Sequence, residues 1–196
     1  EGDFLFGEDQ TPKYIRKPFY IGKYPVTNAQ YKLFIDADPL HPVPSHWDSQ
    51  RRIYPKGKEL HPVVNVTWED AKVFCQWHGC RLPTEVEWER VARGTDGSSC
   101  PWDESDDWIG GKFCNSSEAG TGDTTPVDDF PEGVSSEDVW DLIGNVWEWT
   151  ATTEGYFGIV VRGGSWREDA EGILATARSA IPPETIQDNI GFRCAR

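Results

Sequence analysis

HPVVNVTWEDAKVFCQWHGCRLPTEVEWERVARG, residues 61–94, contains two helix starts and two helix stops in one run. Thr67-Trp68-Glu69-Asp70 has the layout of a capping box, with Asp in place of the usual Glu. In that device the Thr hydroxyl and the acid each satisfy a backbone N–H that the first turn would leave unpaired. Trp68, Ala71, Phe74 and Cys75 then fall on one helical face, and Gly79 supplies the stop. Thr84-Glu85-Val86-Glu87 is a full capping box. It opens a helix with Trp88, Val91 and Ala92 inward and Gly94 at the end. Only the tight turn CRLPT (80–84) separates the two. Arg81 and the neighbouring Glu residues are expected to form ion pairs that pin the second helix.

On the N-terminal side, KPFYIGKYPV (17–26) alternates aromatic and polar residues and reads as a strand. TNAQYKLFIDA (27–37) reads as a further helix capped by Thr27, with Tyr31, Phe34 and Ile35 on one face. Residues 38–62, rich in Pro and His, read as loop. On the C-terminal side, residues 95–138 are polar, acidic and rich in Gly and Ser. So long an irregular stretch needs something to order it, and a metal ion or a disulfide would do so. Trp102, Trp108, Phe113 and Phe130 are its apolar anchors. Short strand-like pieces close the chain: VWDLIGNVWEWT (139–150), IVVRGGSW (159–166) and NIGFRCAR (189–196). Trp147 and Trp149 are expected to pack. No internal repeat is visible. Two main helices, short antiparallel strands and long loops give an α+β class in a single domain over 1–196.

The 196 residues include 10 Trp, 19 Gly and 14 Pro, so the expected core has a few large side chains framed by shaped loops. The net charge of −14 argues against nucleic acid, which requires an excess of Lys and Arg. It suits cations or a neutral or basic partner. No apolar run is long enough for a membrane-spanning helix. No signal peptide is visible, and the lack of Met suggests a processed chain or a fragment. The five cysteines, Cys75, Cys80, Cys100, Cys114 and Cys194, contain no CxxC and no Cys/His cluster with zinc spacing, so a structural zinc site is not expected. His41, His46, His61 and His78 are scattered, and no nucleophile elbow supports a Ser/His/Asp triad.

Four segments in order, 61–77, RLPTEVEWERVARG (81–94), GNVWEW (144–149) and RGGSW…ARS…IGFR (162–193), resemble the formylglycine-generating-enzyme, or sulfatase-modifying-factor, family. FLFGED (4–9) and KYPVTNAQYKLFI (23–35) extend the likeness over nearly the whole chain. The resemblance implies an irregular α+β fold related to C-type lectins. The family's enzymes oxidise a substrate cysteine with a copper-bound cysteine pair just after the GGS motif. Here that segment is Trp166-Arg167-Glu168-Asp169-Ala170-Glu171, and no cysteine stands between Cys114 and Cys194. Soft Cu(I) needs thiolates, so neither copper nor formylglycine generation is expected.

The same resemblance implies that Cys75 and Cys194 are adjacent, and bonded in an oxidising compartment. A second family disulfide would fall on Ala92 and Ala175, both lacking sulfur. Cys100 and Cys114, at the two ends of one loop, form a weaker candidate pair, which leaves Cys80 over. It also implies a structural Ca2+ held by Asp141 and Glu148 side chains and the Gly144 and Val146 carbonyls, a hard oxygen set. A second site would use Asn115, the Ser116 carbonyl and Asp123, although the following loop is shorter than in the enzymes.

The tail also resembles the variable proteins of diversity-generating retroelements, noncatalytic relatives that display a diversified surface. On that likeness the variable positions are Arg167, Glu168, Asp169, Glu171, Gly172, Ala177, Ser179, Ala180, Ile181, Pro182, Thr185, Gln187, Asp188 and Asn189. Their fixed frame is Gly163, Gly164, Trp166, Arg178, Pro183, Gly191, Phe192 and Arg193. Leu174 departs from the pattern, where arginine is common. The implied function is noncatalytic binding of a protein or glycan, at a cell or virion surface if the likeness holds. The alternatives are an oxidase of different chemistry and a structural or sensory module of a larger surface protein.

Overall fold

A computed structural model describes residues 2–102, 111–156 and 158–196; Trp108 lies outside them. The chain opens with a hairpin of β1 (Gly2–Phe6) and β2 (Thr11–Ile15). Three helices follow: α1 (Asn28–Ala37), α2 (Trp68–Trp77) and α3 (Glu85–Arg93). The C-terminal part supplies β3 (Trp147–Glu154), β4 (Gly158–Arg162), β5 (Arg178–Ile181) and β6 (Ile190–Phe192), ordered β5-β4-β3-β6 in one sheet. This is the expected α+β arrangement, with local corrections.

All three helices begin with reciprocal capping boxes: Thr27/Gln30, Thr67/Asp70 and Thr84/Glu87. Asp70 therefore does the work of the usual Glu. The first helix matches α2 in length, so among the described residues there are three main helices where two are expected. Residues 17–26 do not form a strand. Pro18 and Pro25 cannot donate to a ladder. The segment instead meets the C-terminus in one short antiparallel bridge, Ile21 beside Ala195, with Tyr20 and Arg196 exchanging bonds of 2.8 Å and Gly22 N–H donating to Cys194 O at 2.7 Å, and again where Val26 N–H donates to Phe192 O at 2.8 Å. The strands are not all antiparallel either. β6 returns after a long connection and pairs parallel with β3, Trp149 opposite Phe192.

The core has two parts. One gathers Tyr31, Phe34, Ile35, Phe74, Trp149 and Phe192; the other gathers Trp88, Val91, Phe113, Leu142 and Ile173 around α3. Trp149 is fully buried and donates from its indole to the Val66 carbonyl at 3.2 Å, so its polar handle is satisfied. Ala92 and Ala175 both lie in the second cluster.

Hydrogen bonds tie the described part of the 95–138 stretch to the segment around Asn145. Asn145, at φ 57°, gives both polar atoms of its amide to this loop. Its Oδ1 accepts from Asn115 Nδ2 at 3.1 Å and from Thr125 N–H at 3.0 Å, and its Nδ2 donates to Thr125 O at 3.2 Å. Trp102 stacks on Phe113 with ring centroids 4.8 Å apart. Gly144 (φ 73°) must be glycine, because a Cβ there would meet Asn115 O at 2.6 Å.

Candidate functional site

Beneath the tail lie two buried ionic centres. Glu148 is fully buried and held by Arg193 through both oxygens, Nη2 to Oε1 at 2.6 Å and Nε to Oε2 at 2.7 Å. Trp88 Nε1 adds a bond to Oε2 at 2.8 Å. The same guanidinium donates to the carbonyls of Gly22, Trp140 and Asp141 at 3.1, 2.8 and 2.9 Å. The second centre is Glu89, which pairs with Arg162 and with Arg93 (2.9 Å) and accepts from Gly7 N–H at 2.5 Å. Burial pushes the Arg162 guanidinium below its ordinary pKa, and Glu89 opposes that shift.

These centres bear on the calcium expectation. Both Glu148 oxygens serve Arg193 and Trp88. Burial pushes the Asp141 carboxyl up to about 7, against the hydrogen bond it accepts from Asn145 Nδ2 (2.7 Å). A Ca2+ at Asp141, Gly144, Val146 and Glu148 would share Glu148 with the guanidinium, the three hydrogen bonds to that carboxylate leaving a lone pair for the ion. The second set is engaged similarly. Asn115 Oδ1 accepts from Thr121 at 2.7 Å, Ser116 O accepts from Ala119 N–H at 3.1 Å, and Asp123 pairs with Lys58 at 2.9 Å.

The tail forms a face of two loops and an edge strand. Arg167, Asp169, Glu171, Ala180, Pro182, Gln187 and Asp188 are exposed. The loops meet at the Arg167–Asp188 pair, 2.5 Å apart and about half exposed on each side. Arg167 also lies over the Trp166 ring, 4.6 Å from its centroid. Gly172, Ala177, Ser179 and Thr185 are half-buried. Glu171, Gly172, Ala177 and Arg178 line a cleft of about 490 Å3 with Trp147 and the β1–β2 turn. Arg178 crosses its rim to Glu85 (3.2 Å) and Glu154 (2.8 Å). Burial works against its charge, but these bonds outweigh it and raise its pKa.

Three tail positions expected to face a ligand are anchors instead. Asn189 is buried, donating to Ser165 Oγ at 3.0 Å while its carbonyl accepts from Trp147 N–H at 2.9 Å. Glu168 clasps the loop, accepting from Ser165 N–H (2.8 Å) and Oγ (2.5 Å) with one oxygen and from Trp147 Nε1 (3.2 Å) with the other. Ile181 packs on the first core cluster, because alternation along β5 turns it inward. Of the frame positions, Pro183 O accepts from Trp68 N–H at 3.0 Å and Gly191, Phe192 and Arg193 are buried, while Trp166 is half-buried and Arg178 exposed.

Cys75 Sγ and Cys194 Sγ lie 3.6 Å apart as thiols. Cys80, left over in the pairing scheme, joins them. Cys100 and Cys114 both belong to the second cluster, and burial raises the pKa of Cys114. No helix among the described residues is long and apolar enough to cross a membrane.

Capped helices, long hydrogen-bonded loops and a small mixed sheet over a charged core define the irregular α+β class of C-type-lectin-like domains. The chain belongs to the family described as the sulfatase-modifying factor enzyme 1-like domain, whose model matches residues 1–196. It is 33% identical over 243 residues to the "Inactive C-alpha-formylglycine-generating enzyme 2" of Mus musculus, covering 96% of this chain and 78% of that protein. Among solved structures it is similar to PvdO from Pseudomonas aeruginosa, with TM-score 0.81 at 24% identity over 99% of this chain and 90% of the other. It is also similar to Treponema denticola variable protein 1, with TM-score 0.72 at 20% identity, covering 90% and 84%. These two likenesses are of fold.

Proposed function

We propose that this chain is a noncatalytic binding domain that presents the face formed by residues 167–188 to a protein partner. The observation that carries the reading is the division of the tail. Its anchors (Ser165, Glu168, Asn189, Arg193) are bonded inward, while the side chains of Asp169, Glu171 and Gln187 project outward and Arg167 and Asp188 bridge the two loops at the surface. Loops built this way change side chains without changing the scaffold. The likeness of fold to a variable protein, and the kinship with a relative named inactive, support the reading. So does the sequence after the GGS motif, which offers no sulfur to copper.

Asp169, Glu171, Glu184 and Asp188 are exposed acids on this face, against Arg167 and Arg178. A partner with a basic or neutral surface suits it, and association should slow as salt rises. A variable surface diversified within one source is the finer form of the proposal. It is tested by comparing copies from that source: differences should concentrate at the exposed positions and spare Glu168, Ile181 and Asn189. The oxidase alternative is tested by loading copper and following oxygen uptake with a cysteine-containing peptide. Copper-dependent uptake would overturn the noncatalytic reading.

A further inference from the structure

The fifth cysteine has a place. Cys75 in the last turn of α2, Cys80 in the turn beyond Gly79, and Cys194 after β6 bring their three sulfurs within 4.8 Å of one another, with Cys75 and Cys194 at 3.6 Å. The backbone holds them there. Cys80 N–H donates to Cys75 O at 2.8 Å, Gly22 N–H to Cys194 O at 2.7 Å, and Arg81 and Ala195 exchange bonds of 2.9 and 2.7 Å. Cys75 is buried. Cys80 and Cys194 line a small open cleft with His78 and Arg196.

A zinc–thiolate bond is about 2.3 Å long, so sulfurs around one tetrahedral ion stand about 3.8 Å apart. The observed separations, 3.6 Å for one pair and none above 4.8 Å, are close to that value, and a modest closure would seat an ion. The three sulfurs are soft donors.

We propose that Cys75, Cys80 and Cys194 form a three-thiolate site for a thiophilic closed-shell cation of the Zn2+ class, its fourth position open to the cleft. Binding is M2+ + 3 R–SH → [M(SR)3]− + 3 H+, with the ion's oxidation state unchanged. A Cys75–Cys194 disulfide would remove two of the three donors, so the site belongs to the reduced protein. It does not depend on the noncatalytic reading.

The experiment uses the full chain, reduced and stripped of metal under anaerobic conditions, with thiols counted beforehand. Zn2+ is titrated against a chromophoric competitor, and Cd2+ separately for its sulfur-to-metal charge-transfer absorbance. One ion per chain, about three protons released near neutral pH, and the charge-transfer band are expected. Cys80→Ser should weaken binding by about 100-fold or more, beyond what losing an outer partner does. Cys100→Ser should leave it unchanged. Failure of the reduced, fully thiol chain to bind Zn2+, or an affinity indifferent to Cys80→Ser, would overturn the proposal. An unchanged melting temperature for metal-free Cys80→Ser separates ligand loss from misfolding.

Discussion

Replacing Arg193 with Met removes the cation that holds Glu148 while nearly preserving volume. Glu148 is then a buried carboxylate left with Trp88 Nε1 alone, and the carbonyls of Gly22, Trp140 and Asp141 lose a shared donor. Breaking one side of a buried ion pair costs about 3–5 kcal/mol, mostly through the uncompensated charge. In a domain of this size each kcal/mol moves Tm by about 2–4 °C, so Arg193→Met should melt about 6–20 °C lower. Adding Glu148→Gln should recover part of that loss, because the charge left behind is now gone. The assay is thermal unfolding by circular dichroism. Arg193→Met within about 2 °C of the parent would refute the assignment of the positive charge at Glu148 to the guanidinium.

Gly144→Ala should lose at least about 1–3 kcal/mol from the left-handed backbone alone, before the 2.6 Å approach to Asn115 O is counted; denaturant melts read it. Burial first, and then Lys58, hold His61 below its ordinary pKa near 6.5. The unfolded chain therefore takes a proton before the folded one does. Stability should be flat above that value and fall as pH drops below it, and His61→Gln should flatten part of the slope in Tm measured against pH. Charge reversal of the exposed pair Asp169 and Glu171 to Lys should leave stability within about 0.5 kcal/mol, whereas Asn189→Ala, which empties a buried hydrogen bond, should cost about 1–3 kcal/mol. Equal losses in the two variants would erase the distinction between display positions and anchors.

The helices were legible because their signals are local. Each capping box lies within four residues, and the inward faces of α2 and α3 follow a single period. Residues 17–26 misled because alternation describes a strand's faces but not its donors, and two prolines remove donors. The parallel pairing of β6 was not legible, since nothing near Ile190 encodes a partner more than forty residues back. Glu89 was missed for the same reason. Beside Trp88 and before Val91 it reads as one more solvent-facing acid, yet it is fully buried, and its partners Gly7 and Arg162 lie 82 and 73 residues away. The signal that could have found it is balance: an arginine in the apolar run IVVR (159–162) needs a buried acid somewhere. Cys80 could have been found by the odd cysteine count, but only the fold brings it to Cys75 and Cys194.

The two ionic centres explain how a chain with so little regular structure can leave one face free. Glu89 ties the β1–β2 turn to α3 and β4, and Glu148 ties β3 to the segment after β6 and, through Arg193, to Gly22 and Trp140. Both lie inside the framework from which the tail loops spring. A loop between two such fixed roots contributes little to the stability of the whole. Arg162, Ser165, Asn189 and Arg193 must keep their partners, while the side chains of Asp169, Glu171 and Gln187 project outward. The constraint on the tail is therefore strongest at its roots and weakest at its crests, which is the distribution a binding surface requires.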